Sequence, residues 1–353
     1  MARLRVREVP LTRKATALAT FVALVFAILA GLLLLFVMGV EVQQASRLLF
    51  FGGFGSWRGL SETLTLAIPL LLAGLGVAIA FKVGFWNIGA EGQIYVGGFA
   101  AAWVALTLGA AVPRVLLIPL LVAAGFFAGA LWGAIPVLLR NRWRVNEVIA
   151  TLMLNYVAIL WVEYQVHGPM NEGFGMPFSA ILPRPAWLAR LFGTRLHEGV
   201  YLAIAAAIVV YLILKYTPLG FKIRAVGANP RTARTVGISP ERVMLMAMLI
   251  GGGLAGVAGM SEIAGVQRRL LSLFSPGFGF TAIGVALLGK LHPAGVVVSA
   301  VFFGGLLRGG RALQAGMGVP VAVVDIFLAL VIFLLVGGAL LARYRLTWDK
   351  RGE

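Results

Sequence analysis

The 353-residue chain is 60% hydrophobic and 12% charged, with a mean hydropathy of +0.96; a soluble fold carries about 25% charge, so this composition excludes one. The 30 Lys and Arg against 13 Asp and Glu give a formal net charge of +17. They cluster between apolar runs, as topology-setting cations do in a membrane, so nucleic acid is not an expected partner. The absence of cysteine excludes disulfides and thiolate metal sites. His167, His197 and His292 match no metal-ligand spacing.

Residues 1–17 are basic and precede an apolar run at 18–40 that is too long for a signal-peptide core, so it reads as a retained first span. Further runs of roughly membrane-spanning length lie near 60–80, 86–108, 115–139, 145–166, 198–215, 243–264, 277–291, 293–310 and 320–342. The run at 277–291 is short and glycine-containing, as a broken or re-entrant helix would be. The expected fold is all-α: a polytopic membrane protein of about ten transmembrane helices. A single membrane domain would occupy 18–342, with a basic tail at 343–353. Placing the N-terminus in the cytoplasm puts twenty of the thirty Lys and Arg on the cytoplasmic side, with both termini there.

The stretch GFWNIGAEGQIYVGG, 84–98, is unusually polar for its setting. On a helix Asn87 and Glu91 share a face that Tyr95 extends, while Gln93 points elsewhere. A charge near mid-bilayer costs about 2.5–3.5 kcal/mol, so it is kept where it faces a cavity or a partner. Two readings stand: a translocation path lined by discontinuous helices, or a structural polar cluster near the interface, paired to Lys82 or an arginine. A second cluster, Asn146, Glu147, Thr151 and Asn155, lies in RVNEVIATLMLNYVAILWVEYQ, 144–165. Asn146 and Glu147 suit a helix start; Asn155 is deeper, four residues from Thr151, and is the better site candidate.

The 167–197 loop, rich in Pro and Gly, reads as an outer connector or as a docking surface. Residues 215–243, KYTPLGFKIRAVGANPRTARTVGISPERV, carry helix signals of their own. Asn229 suits the cap, Pro230 the first position and Gly237 the stop. The two-turn helix between them, with Arg231 and Arg234, is too short to stand alone and suits docking in a partner's groove. GGGLAGVAG, 251–259, spaces small residues for close helix packing. GVALLGK, 284–290, has phosphate-loop spacing, but Leu291 stands where Ser or Thr would bind magnesium, and the stretch is apolar. No other catalytic motif is present.

TPLGFKIRAVGANPRTARTVGIS resembles the coupling-helix loop, here about 216–242, of permease subunits in ATP-binding-cassette importers. The resemblance is to the branch that includes branched-chain amino acid, ribose and nucleoside permeases. WNIGAEGQ (86–93), NEVIATLMLNY (146–156) and SPGFGFTAIGVALLGKLHP (275–293) resemble its nucleoside members over roughly 60–340. Trp86 stands where Phe is commoner, and Lys290 where a small residue is commoner. The resemblance implies an inner-membrane permease subunit without an ATPase site or cofactor of its own. A separate ATPase would use ATP and magnesium, contacting Gly227, Asn229, Pro230, Arg231, Arg234 and Gly237. A second permease subunit, identical or paralogous, would complete the path, and an extracytoplasmic solute-binding protein or lipoprotein would deliver solute. Asn87, Glu91, Gln93 and Asn155 would face the path, with amides and carboxylate suited to ribose hydroxyls or base edges. Phe85, Trp86 and Tyr156 would stack on a base. Ribose-like sugars and branched-chain amino acids are the alternative solutes within the family. An ion-coupled carrier would draw on Glu91, Glu163, Glu262 and Asp325. A membrane enzyme lacks a catalytic constellation.

Overall fold

A computed structural model describes residues 3–8, 13–173 and 175–349. In chain order the elements are β1 (Arg3–Glu8), α1 (Arg13–Val37), α2 (Val42–Phe54), α3 (Trp57–Lys82), α4 (Ala90–Leu108), α5 (Arg114–Trp143), α6 (Glu147–His167), α7 (Gly199–Tyr216), α8 (Pro218–Ala228), α9 (Pro230–Thr235), α10 (Pro240–Glu262), α11 (Phe278–Leu288), α12 (Pro293–Met317), α13 (Val321–Arg343) and β2 (Tyr344–Asp349). Each of the ten apolar runs holds a helix. Among the described residues six are long and apolar enough to cross a membrane: α3, α5, α6, α7, α12, and α10 with its π-helical extension to Gln267.

Capping follows the sequence. Ser56, Asn146, Thr217, Asn229 and Ser239 each accept a backbone N–H at a helix start. Proline occupies the first position of α8, α9 and α10, where its missing N–H costs nothing.

The chain divides into two compact units. One comprises Met1–Gly52 and Gly309–Glu353. In it α1 packs on α13, and Leu35, Ala45, Leu313, Val319 and Val323 form a buried cluster. Its strands pair antiparallel, Arg3 opposite Asp349 and Glu8 opposite Tyr344.

The other unit, Gly53–Arg308, is built around α10, which packs on α3, α4 and α5. The expected close packing of the glycine run is present. A Cβ on Gly76 of α3 would fall 2.3 Å from the Gly251 carbonyl oxygen, one on Gly97 of α4 2.2 Å from Gly256 Cα, and one on Gly129 of α5 2.3 Å from the Gly252 carbonyl oxygen. Backbone meets backbone on three sides of one helix, which only the smallest residue allows.

The segment between α6 and α7 is tied down rather than free. The Ser179, Leu182 and Leu188 N–H groups donate to the carbonyls of Leu270, Arg268 and Ala264. The Arg268 guanidinium lies 4.0 Å from the Trp187 ring centroid and that of Arg269 4.4 Å from Phe178. His197 is 1% exposed, and its Nδ1 accepts from the Gly199 N–H at 3.2 Å. Burial pushes its imidazole down to about 4, with Arg190 adding to the shift and Glu198 opposing it.

Candidate functional site

Helix α3 ends at Lys82 and α4 begins at Ala90, so residues 83–89 form a break in the backbone. Gly84, at φ +83°, makes the turn that a side chain would strain. The expectation that Asn87 and Glu91 share a helical face is therefore corrected: Asn87 precedes the helix. Gln93 does not point away either. Its amide exchanges bonds with that of Asn87 at 3.2 and 3.3 Å. Asn87 Oδ1 also accepts from the Gly89 N–H at 2.9 Å.

The break exposes backbone polar groups, and α6 satisfies them. The Thr151 hydroxyl accepts from the Ile88 N–H at 3.2 Å. Asn155 Oδ1 accepts from the Gly92 N–H at 2.8 Å, and its Nδ2 donates to the Ile88 carbonyl at 2.8 Å. A Cβ on Gly92 would meet Asn155 Cα at 3.0 Å, so the two helices nearly touch here. Asn146 caps α6, as expected, by accepting from the Val148 N–H at 2.9 Å. Its neighbour Glu147 pairs with Arg140 at 3.2 Å.

Glu91 works at the opposite edge. Its Oε2 accepts from the Gly279 N–H at 2.6 Å, at the start of α11. The first turn of a helix has N–H groups without intrahelical partners, and a carboxylate there is favoured by the helix dipole. A Cβ on Gly279 would fall 2.1 Å from the Glu91 backbone nitrogen. The N-terminal ends of α4 and α11 thus meet backbone to backbone, locked by one carboxylate. Beside them Ser275 Oγ accepts from the Phe278 N–H at 3.2 Å, and the Tyr95 ring lies 4.6 Å from Phe274.

Asn87, Glu91, Gln93 and Asn155 are all at most 2% exposed. The structure brings them together, with Thr151, grouped with Asn155 from the sequence, and Gly279, which sequence reading did not assign, as partners. Phe85 is also buried, with the Arg140 guanidinium 5.4 Å from its ring centroid. Trp86 and Tyr156 differ: they are 54% and 55% exposed, one on the break and the other next to Asn155 on α6.

The residues assigned to ATPase contact lie apart from this junction. Asn229 Oδ1 accepts from the N–H groups of Arg231 and Thr232 at 3.0 and 3.2 Å, capping the six-residue α9 at Pro230. Gly237, at φ +81°, follows its end. Arg234 pairs with Glu241, and both it and Arg231 are exposed. Gly227, near the end of α8, sits so close to α3 that a Cβ would fall 2.0 Å from the Lys82 carbonyl oxygen.

Residues 59–336 match the family described as branched-chain amino acid transport system / permease component. The chain is 40% identical to the glucose ABC transporter permease protein TsgB13 of Haloferax volcanii, covering 93% of this chain and 89% of that one. It is 35% identical to the guanosine ABC transporter permease protein NupP of Bacillus subtilis, covering 89% and 91%. It is 34% identical to the nucleoside ABC transporter permease protein NupB of Lactococcus lactis subsp. cremoris, covering 91% and 90%.

Proposed function

This chain belongs to the branched-chain amino acid transport system / permease component family, and from that premise we propose that it is one permease subunit of an ATP-driven importer whose solute is a nucleoside. The observation that carries the reading is the break between α3 and α4. It is a discontinuous helix braced by α6 and α11, with two aromatic rings exposed beside it. Discontinuous helices of this kind recur at transport sites because unwound backbone comes near a ligand there.

In this reading the polar residues divide by role. Asn87, Glu91, Gln93 and Asn155 spend their hydrogen bonds on the protein and keep the break in one shape. Trp86 and Tyr156 offer ring faces on which a nucleobase stacks, a contact worth about 1–3 kcal/mol per base. Phe85 supports the break from beneath. The ten helices at the predicted stretches cross the inner membrane, α4 and α11 as half of a broken pair, with both termini in the cytoplasm. A second permease subunit, the same chain or a paralogue, completes the path, and a solute-binding protein delivers the ligand.

Energy enters through α9. Arg231 and Arg234, with Gly227, Asn229, Pro230 and Gly237 shaping the loop, dock this short helix on a separate ATPase, which holds the ATP and magnesium. The contact of Gly227 with the Lys82 carbonyl gives the motion a route. A displacement of α8 and α9 presses on the end of α3, one residue before the break. Close backbone contact transmits such a push with little give.

The identity to guanosine and nucleoside permeases supports the choice of solute. A sugar is the second reading, favoured by the 40% identity to a glucose permease. Uptake of labelled guanosine is measured in vesicles holding this chain, its ATPase and its binding protein, with and without ATP. ATP-dependent uptake competed by adenosine but not by glucose, ribose or leucine is expected. Competition by glucose with no guanosine uptake selects the sugar reading.

A further inference from the structure

Away from the break, the Gly53–Arg308 unit holds a recess of about 370 Å³. Its walls come from the C-terminal ends of α3 and α7, from α8 and from the turn before α12. Lys82, Lys215, Arg224 and His292 line it together with Tyr211, and no carboxylate does. Neither lysine nor the arginine forms an ion pair among the described residues. Each is held by a neutral oxygen. Lys82 Nζ donates to the Leu291 carbonyl at 3.1 Å, Lys215 Nζ to the Tyr211 hydroxyl at 2.8 Å, and Arg224 to the Leu214 carbonyl. Lys215 Nζ also lies 4.9 Å from the Tyr216 ring centroid, and the Tyr211 and His292 rings are 5.9 Å apart.

Cations at helix C-termini are ordinary, because the dipole favours them there. That accounts for Lys82 and Lys215, which close α3 and α7. The same dipole holds Arg224, which reaches from the middle of α8 to the Leu214 carbonyl in the last turn of α7; it does not explain why three like charges gather round one recess with no carboxylate among its walls. Carbonyl, hydroxyl and ring contacts offset part of their mutual repulsion, and an anion among them would offset more. The volume lies within the range of ligand sites, about 300–1,000 Å³. Basic recesses between membrane helices accept phospholipid headgroups, and tyrosines at a helix end suit the interface where headgroups lie.

We propose that this recess binds a phosphate-bearing anion, from a phospholipid headgroup or a soluble phosphate compound, held by Lys82, Lys215 and Arg224 with Tyr211 as the wall. Such an anion bridges the end of α3, α8 and the α11–α12 turn. That turn is also where Lys290 and Leu291 take consecutive left-handed backbone angles, φ +53° and +54°. The ligand would therefore brace the cytoplasmic edge of the break without touching the solute path.

The test uses the assembled transporter in nanodiscs of phosphatidylcholine, with or without phosphatidylglycerol, and reads the thermal midpoint. A third arm adds inorganic phosphate to the phosphatidylcholine discs against a chloride control of equal ionic strength. The midpoint is expected to rise with phosphatidylglycerol, and Lys215→Gln with Arg224→Gln to remove at least half of that rise. Lys222→Gln, an exposed cation of α8 outside the recess, should keep it. A rise with inorganic phosphate that the double variant loses supports the same site with a soluble source. An undiminished rise in the double variant, or no rise with either anion, overturns the proposal. Should the double variant fail to assemble, Lys215→Gln alone carries the test, since that exposed side chain supports no buried packing.

Discussion

Replacing Glu91 separates a carboxylate that holds helices from one that holds solute. Glu91→Ala removes the acceptor for the Gly279 N–H and leaves that donor buried without a partner. A hydrogen bond to a charged group is worth about 1.5–3 kcal/mol, and an unsatisfied buried donor costs about 1–3 kcal/mol. Relief from burying the charge offsets part of this, so a net loss of about 2–3 kcal/mol is expected. Glu91→Gln keeps a carbonyl oxygen in place and exchanges a charge-assisted bond for a neutral one about half as strong, costing about 1 kcal/mol. For units of this size a loss of 1 kcal/mol lowers the melting midpoint by about 2–4 °C. The Ala variant should melt about 4–12 °C below wild type, and the Gln variant about 2–4 °C below it. Both are read by intrinsic fluorescence in one detergent, alongside guanosine uptake in vesicles. Uptake should fall with stability and be largely retained in Glu91→Gln. An Ala variant that melts with wild type yet takes up nothing would refute the argument and make the carboxylate a solute ligand.

Gly97→Leu drives a side chain into Gly256 Cα, 2.2 Å from where its first carbon would sit; overpacking costs about 1–3 kcal/mol or more, and the folded yield on size exclusion should fall sharply. Arg231→Glu with Arg234→Glu should abolish co-purification of the ATPase while moving the midpoint of the isolated chain by about 4 °C or less, since the Arg234–Glu241 pair is exposed and worth about 0–1 kcal/mol. Retention of the ATPase at wild-type levels counts against docking by α9. His197 has its own pH signature. Its proton affinity is depressed from 6.5 to about 4, so the unfolded chain binds more protons across that window. Its contribution is fully present above about pH 6.5 and is lost as pH falls toward 4, by at most about 3 kcal/mol. Melting between pH 7 and pH 4.5 should decline less steeply in His197→Gln than in wild type, and equal slopes would remove His197 from the explanation.

Much of this architecture is legible in the sequence, because membrane helices announce themselves by apolar length and their starts by caps. The Asn229-Pro230 start of α9 and the small-residue face of α10 needed nothing beyond local chemistry. Helix α2 escaped notice because VQQASRLLFFGGF mixes amides, an arginine and paired glycines with its apolar residues. The strands at 3–8 and 344–349 do carry a signal, the alternation in RLRVRE and YRLTWD, which reads first as basic tail. At the break, the four-residue spacing of Asn87 and Glu91 fits a helix, and Gly84 alone does not say where that helix starts. What unwinds residues 83–89 is a set of partners more than sixty positions away, Thr151 and Asn155, and Gly279 nearly two hundred away. A single sequence shows that polar residues are present; it does not show which backbone groups they serve.

The glycine seams of α10 bear on how such a unit moves. Helices that interlock through large side chains must change rotamers before one slides past another. Where Gly251, Gly252 and Gly256 lie against glycines of α3, α4 and α5, no knob sits in a hole. The surfaces in contact are smooth peptide planes with no rotamers to switch. Small sliding displacements along such seams meet a low barrier, whereas separation forfeits close van der Waals contact along the shared face. Along α3 and α4 the glycine seams of α10 therefore favour sliding over separation, whereas on the α5 side the Phe126 ring seated on Gly253 is the side chain that such sliding would have to displace.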